Sequence, residues 1–207
     1  MTTADTRIVD TPLGPMLLQA GGGALTGAWF VGQRDCPPDP AGMTDGMPNG
    51  ASAAHDRTVC QGHGLAPGRE SAASLVLHQA EQELADYFAG RGRAFSLPLA
   101  PRGTPFQRRV WDALRDIAFG ELESYGDLSM RCAQSAAVRA VAQAVGRNPI
   151  SIFIPCHRVI GGNGALTGFG GGLPRKQALL KLEGHVYASA TPDAKRLTVD
   201  PRQGLLW

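Results

Sequence analysis

Ser124-Tyr125-Gly126-Asp127-Leu128-Ser129-Met130-Arg131-Cys132 and, after a short gap, Ala136-Ala137-Val138-Arg139-Ala140-Val141-Ala142-Gln143-Ala144-Val145-Gly146 decide how the second half of this 207-residue chain folds. Ser124 with Asp127 three residues on has the form of a capping box, so a short helix is expected to end near Cys132. Ser135 offers a hydroxyl to cap a second helix through Val145, stopped at Gly146 before Asn148-Pro149. Two short helices a few residues apart make a helix-turn-helix. On the second, Arg139 stands alone among small apolar residues. Such neighbours let a helix approach another surface closely and leave one cationic arm to reach into it, although a lone arginine reads equally well as a solvated charge.

Upstream, Thr104-Pro105 is a helix start, a capping hydroxyl followed by proline at the first helical position, and Phe106, Val110, Leu114 and Ile117 then line one face. Before it, Leu77, Ala80, Leu84 and Phe88 predict a helix over Ala72–Phe88, and Ala94–Leu99 reads as a strand. Short apolar runs at Arg7–Val9, Pro15–Ala20 and Ala24–Val31, separated by glycine turns, predict a hairpin-connected sheet. Asp35 to about Arg69 is rich in Pro, Gly, Ala, Asp and Ser and lacks an apolar period, so burial cannot offset ordering entropy and a flexible insertion is expected. Downstream, Ile150–Ile154 reads as a short buried strand, glycines dominate Gly161–Gly172, and Pro174–Glu183 reads as a last helix stopped by Gly184. The expected organisation is a mixed α/β domain over residues 1–100 with the insertion at about 35–70, a second domain over 101–185, and a tail over 186–207.

Hydrophobic residues make up 43% of the chain and charged ones 18%, which indicates a globular protein, while 27 glycines and 15 prolines indicate long loops. The start lacks a basic region followed by an apolar run, and no stretch approaches a membrane span, so no membrane association and a cytoplasmic protein are expected. Four scattered cysteines are too few for a disulfide framework and fit a reducing compartment. The net charge of +2 hides an asymmetry: residues 1–100 carry 6 basic and 10 acidic groups, residues 101–184 carry 11 and 6. A basic second half hints at a polyanionic partner.

No phosphate-binding glycine motif, CxxC pair or HExxH signature occurs, so neither a cofactor nor a metal is expected. Cys36, Cys60, His55 and His63 are chemically able to hold zinc, but their spacing is irregular. The chemistry gathers instead at Ile154-Pro155-Cys156-His157-Arg158-Val159-Ile160. A buried cysteine is ordinarily a small hydrophobe, and Cys132 reads so. Cys156 differs in following an apolar run and a rigid proline and in being flanked by His157 and Arg158, groups that favour a thiolate. In extended backbone adjacent side chains point to opposite faces, so His157 would meet Cys156 only if the chain turns there, or else through water. Tyr125 beside the Ser124 cap reads as a hydrophobic staple, and Asn148 before Pro149 as a helix terminator. Glu183 lies near a helix C-terminus, where the dipole disfavours an anion, so a specific partner should hold it. Gly168-Phe169-Gly170-Gly171-Gly172 permits close approach of a flat ligand, and equally suits an ordinary loop.

In order and spacing, Tyr125-Gly126, Ala137-Val138-Arg139-Ala140-Val141, Asn148-Pro149, the Pro155-Cys156-His157-Arg158 core, Gly168-Phe169-Gly170-Gly171 and Leu179-Leu180-Lys181-Leu182-Glu183 resemble the O6-alkylguanine-DNA alkyltransferase family. The resemblance is dense from Thr104 to Gly184, weaker at Thr11–Pro15, Leu25–Gly32 and Glu83–Phe88, and does not cover the insertion. It implies a ribonuclease-H-like N-terminal domain and a winged-helix-like helix-turn-helix domain that binds double-stranded DNA carrying an alkylated base through the minor groove and flips that base out. It further implies that Arg139 fills the vacated stack, with Ser135, Ala137 and Ala140 also on the DNA. Tyr125 turns the nucleotide and assists protonation of the leaving group. Val159, Phe169, Gly170 and Gly171 shape the pocket, while Asn148, Glu183 and His157, the last through water, organise the thiolate of Cys156. The implied reaction is irreversible, single-use transfer of the alkyl group from O6 of guanine, with O4-alkylthymine as a further candidate, to Cys156 without a cofactor. The expected form is a monomer, with cooperativity on DNA left open. Phe169 stands where the family often has tyrosine, and Ala133 and Ala142 where glycines are common. The competing readings are a damage-binding module without a reactive cysteine, which Cys156 opposes, a helix-turn-helix regulator without an effector domain, and a cysteine hydrolase using Cys156 and His157 over many turnovers.

Overall fold

The computed structural model describes residues 4–38, 71–133, 137–192, 194 and 196–197. Most of the insertion, Ser135 and the final residues lie outside them.

Strands β1 (Asp5–Val9), β2 (Met16–Gly21) and β3 (Ala24–Phe30) form an antiparallel meander in the order β1-β2-β3, with Val9 opposite Met16 and Leu17 opposite Trp29. The β2–β3 turn is Gly22-Gly23, both at positive φ, a conformation glycine adopts without steric cost. Period two puts Met16, Leu18 and Ala20 on one face, in the same core cluster as Val76, Leu77, Ala80 and Leu84 of helix α1 (Ala72–Phe88). The helix begins and ends where its apolar period predicts, capped at Ser71, whose hydroxyl accepts from the Ser74 amide at 2.9 Å.

The second half is built on α2 (Pro105–Arg115), α3 (Tyr125–Ala133), α4 (Val138–Gly146) and α5 (Leu173–Leu182). Thr104 and Gln107 make a full capping box at the start of α2, and Ser124 caps α3, accepting from the Asp127 amide at 3.1 Å. Trp111 of α2 is buried and donates its indole N–H to the Ala144 carbonyl of α4 at 2.8 Å, so α4 is bolted to α2 by one aromatic residue whose polar edge is satisfied. Short strands β4 (Glu123–Ser124) and β5 (Val159–Ile160) pair in parallel. The expected tail is partly folded: β6 (Val186–Tyr187) pairs antiparallel with β7 (Arg196–Leu197), and Tyr187 and Ala194 are buried with Leu166 and Leu180.

Three sequence expectations are corrected. The strand at Ala94–Leu99 is reduced to a bridge: Leu25 donates to the Pro98 carbonyl at 2.8 Å and accepts from the Ala100 amide, and Pro98 has no N–H with which to extend the ladder. Ile150–Ile154 is buried but is a tight turn, with Ile152 at φ 72° and the Ile154 amide bonded to the Ile150 carbonyl at 3.0 Å. Helix α4 starts at Val138 with Ala137 at its N-cap and no side-chain cap there, while Ser135, the expected cap, lies outside the described residues. The Asn148 segment is stitched to the N-terminal sheet, since Ala28 of β3 donates to the Pro149 carbonyl at 2.9 Å and accepts from the Ser151 amide at 2.8 Å.

Candidate active site

Asn148 explains the tight turn. Its side-chain oxygen accepts from the Ile150 amide at 3.0 Å, and its amide nitrogen donates to the Ile154 carbonyl at 2.8 Å and to Sγ of Cys156 at 3.1 Å. One side chain therefore folds the loop and touches the sulfur at its end. Left-handed backbone in a β-branched residue such as Ile152 costs on the order of 1–3 kcal/mol and persists only where surrounding structure enforces it.

The chain turns at Cys156–Arg158 in a single 3-10 turn, all three residues buried. His157 is nevertheless aimed away from the sulfur: Nε2 meets Glu183 Oε1 at 2.9 Å. Glu183, at the C-cap of α5, also accepts from the Tyr87 hydroxyl of α1 at 2.8 Å, from Nε and Nη2 of Arg158 at 2.9 Å each, and from the Gly120 amide at 3.3 Å. The anion at a helix C-terminus thus has the specific partners its position demands. Burial raises the Glu183 carboxyl, but hydrogen bonds from His157 and Arg158 and their charges outweigh it and hold the pKa at about 2.

An ionised carboxylate only accepts, so Nε2 of His157 carries the proton. Burial lowers the His157 pKa against the pull of Glu183, with Arg158 and Lys176 adding to the lowering, so the ring is neutral and Nδ1 presents a lone pair. That buried atom has no hydrogen-bond partner among the described residues. Burial pushes the Cys156 thiol up, opposed by the Asn148 hydrogen bond, the Lys176 charge and the backbone amides of Cys156 and His157. A thiol in this setting must hand its proton to a base before it becomes a strong nucleophile.

Tyr125, first residue of α3, has its pKa raised to about 12 by burial and by nearness to Cys156, against a hydrogen bond with Thr167. It is a proton donor at neutral pH. A Cβ at Gly168 would stand 3.1 Å from its hydroxyl, so that glycine, at φ 45°, keeps the loop close to the tyrosine. Val159 is fully buried, and Phe169 packs half-buried on the core that includes Cys156. Arg139 and Ala140 lie exposed at the start of α4 with Ala137 partly exposed, and Arg139 has no hydrogen bond or ion pair among the described residues. Val138, its neighbour in sequence, and Met130 of α3 also expose apolar surface.

Sequence reasoning missed Lys176, Tyr87 and the full role of Arg158. Lys176 is completely buried, its Nζ donating to the carbonyls of Val159, Thr167 and Gly168, and desolvation lowers its pKa to about 8. It shares a helical stripe with Leu179, Leu180 and Glu183, and two charges on an apolar stripe were the available signal. Among the described residues no group of His, Cys, Asp and Glu gathers as for a metal, and no helix is long and apolar enough to cross a membrane.

These elements define a mixed α/β protein with small sheets, five α-helices among the described residues, and a buried cysteine beside a His–Glu–Arg cluster. Residues 105–185 match the family model described as 6-O-methylguanine DNA methyltransferase, DNA binding domain. The methylated-DNA–protein-cysteine methyltransferase of Mycobacterium bovis is 40% identical over 177 residues, 86% of this chain and 90% of that one. That of Methanosarcina acetivorans is 51% identical over 106 residues, 51% of this chain and 68% of that one. The crystal structure of Mycobacterium tuberculosis OGT in complex with DNA superposes with a TM-score of 0.66 at 38% identity, covering 86% of this chain and 92% of that one. The chain belongs to the methylated-DNA–protein-cysteine methyltransferase family.

Proposed function

We propose that the protein repairs alkylated DNA by single-turnover transfer of the alkyl group from O6 of guanine to Sγ of Cys156, acting as a methylated-DNA–protein-cysteine S-methyltransferase. The observation that carries this is the wiring of the sulfur: Asn148 touches it, and His157 is fixed by Glu183 in the tautomer that leaves Nδ1 as a base. In the reaction the Cys156 proton passes to Nδ1 through one water. The thiolate attacks the alkyl carbon, the S–C bond forms as the C–O6 bond breaks, and the electron pair leaves with the purine, which is neutralised by a proton from Tyr125. Guanine departs in its pairing form. No group in the site is placed to cleave a thioether, so each molecule reacts once and no cofactor takes part. A cysteine hydrolase fits less well, because His157 is held on Glu183 and does not contact Sγ directly.

Double-stranded DNA is the partner, bound in the minor groove by α4, with the small Ala137 and Ala140 allowing close approach and Arg139 filling the stack left by the flipped base. Ser135 would add a contact there and lies outside the described residues. Val159, Phe169, Gly170 and Gly171 wall the pocket. In this reading the architecture is a ribonuclease-H-like domain over about residues 1–100 and a winged-helix-like helix-turn-helix domain over 101–185, in a cytoplasmic monomer. Incubation with duplex DNA bearing O6-methylguanine should add about 14 Da to the intact protein, the mass of a methyl replacing a proton. The label should map to Cys156 and vanish in Cys156→Ala; a label on another residue refutes the assignment.

A further inference from the structure

The glycine-rich loop that walls the proposed pocket is held from behind by the N-terminal sheet. At Gly171 an added Cβ would lie 2.8 Å from Cε1 of Phe169 and 2.9 Å from Cδ2 of Phe30, so two rings close on one glycine, Phe169 from the loop itself and Phe30 from β3. Phe30 is fully buried. Behind it lies Arg175 of α5, its guanidinium 4.6 Å from the Phe30 ring centroid. Arg175 also ties the layers together: Nη1 donates to the Gly171 carbonyl at 3.1 Å, and Nε to the Leu13 carbonyl of the β1–β2 turn at 2.9 Å. That turn is shaped to receive it, with Gly14 at φ 105° and its would-be Cβ only 3.3 Å from Nη2 of Arg175. Gln33 adds a brace, accepting from the Phe30 amide and the Ser151 hydroxyl at 3.3 Å each, with Nε2 3.1 Å from the Cβ position of Gly170.

We infer that Phe30 and Arg175, which touch neither the sulfur nor its proton relay, determine the size of alkyl group accepted by fixing how far the Phe169–Gly171 wall can retreat. The inference rests on the reading of that wall as the alkyl pocket. Arg175, Phe30, Gly171 and Phe169 are packed in mutual contact, and close-packed interiors yield little to a pushed ring. On this inference a methyl group is accommodated without moving the wall. A benzyl group needs the wall to give, and the stack opposes it.

The test compares transfer rates from O6-methylguanine and O6-benzylguanine, each in the same duplex, for the parent protein, Arg175→Met and Phe30→Leu. Arg175→Met keeps apolar bulk over Phe30 and removes both carbonyl contacts; Phe30→Leu opens space behind Gly171. Each should raise the benzyl-to-methyl rate ratio about fivefold or more, the scale on which a pocket discriminates one or two methylene groups, with the methyl rate changed by less than about threefold. An unchanged ratio, or an equal fall of both rates, overturns the inference and leaves the two residues as packing alone. If Phe30→Leu melts below the assay temperature, Arg175→Met decides. Failure of the parent protein to take methyl from DNA would instead count against the proposed function, so the two failures are distinct.

Discussion

The start of α4 and the neighbourhood of Glu183 each hold an arginine, and the two are treated in opposite ways. Arg139 stands in solvent among small residues with no partner among the described residues, whereas Arg158 is buried, donates twice to Glu183, and places Nη1 on the Ile117 carbonyl at 2.6 Å. A free cation on an exposed helix costs the fold nothing and is available to a polyanion. A buried one is committed: it pairs with Glu183, and burial, with the Arg158 and Lys176 charges adding to it, keeps His157 beside them uncharged against the pull of Glu183. In the proposed function binding and chemistry are therefore separable, and substitutions on the two sides should fail in different ways.

The largest effect is expected at Glu183. Glu183→Gln leaves the Arg158 charge uncompensated in the interior, which should cost about 3–5 kcal/mol of unfolding free energy in chemical denaturation. It also releases the tautomer of His157, so single-turnover transfer should fall on the order of a hundredfold. The carboxyl pKa is depressed in the folded state, so its contribution is present above the unfolded value near 4.5 and is lost as pH falls toward about 2. The variant should show a flatter loss of stability across that window. A variant as stable and as fast as the parent would erase the distinction between the two arginines.

Asn148→Ala should come next. Removing the hydrogen bond that lowers the Cys156 thiol pKa raises it further, so the rising limb of the rate against pH should move to higher pH, with a rate loss of about tenfold or more at neutral pH. An unmoved limb would mean that Asn148 only shapes the turn. The smallest effect on the fold is expected at Arg139. Arg139→Ala should change stability by no more than about 0.5 kcal/mol. It should weaken binding to lesion-bearing duplex by about tenfold and lower the salt slope by about one. Unaltered DNA affinity would return Arg139 to the status of a solvated charge.

The same contrast separates what the sequence made legible from what it hid. Local signals were sufficient where the cause is local: the apolar period and end points of α1, the Thr104–Gln107 capping box, and the Gly22-Gly23 turn all lie within a few residues of the element they specify. The order of Tyr125, Arg139, Asn148, Cys156 and Glu183 along the chain was readable in the same way. What escaped is made by side-chain contacts that no local pattern announces. Ile150–Ile154 has the composition of a strand, and only the Asn148 side chain wrapped inside it turns Ile152 into left-handed backbone. Tyr87 reaches Glu183 across 96 positions of sequence. Ser135 looked like the better cap, yet Ala137 holds that place. Lys176 alone left a trace, through the stripe it shares with Leu179, Leu180 and Glu183.

In the proposed reaction Cys156 is consumed by the transfer it performs. Titrating a fixed amount of protein with duplex containing O6-methylguanine, and counting repaired bases after the reaction stops, tests it directly. Repair should reach a plateau at one repaired base per protein molecule, with S-methyl Cys156 in the same amount; repair that continues past that ratio, or that proceeds in Cys156→Ala, would contradict single use of this cysteine.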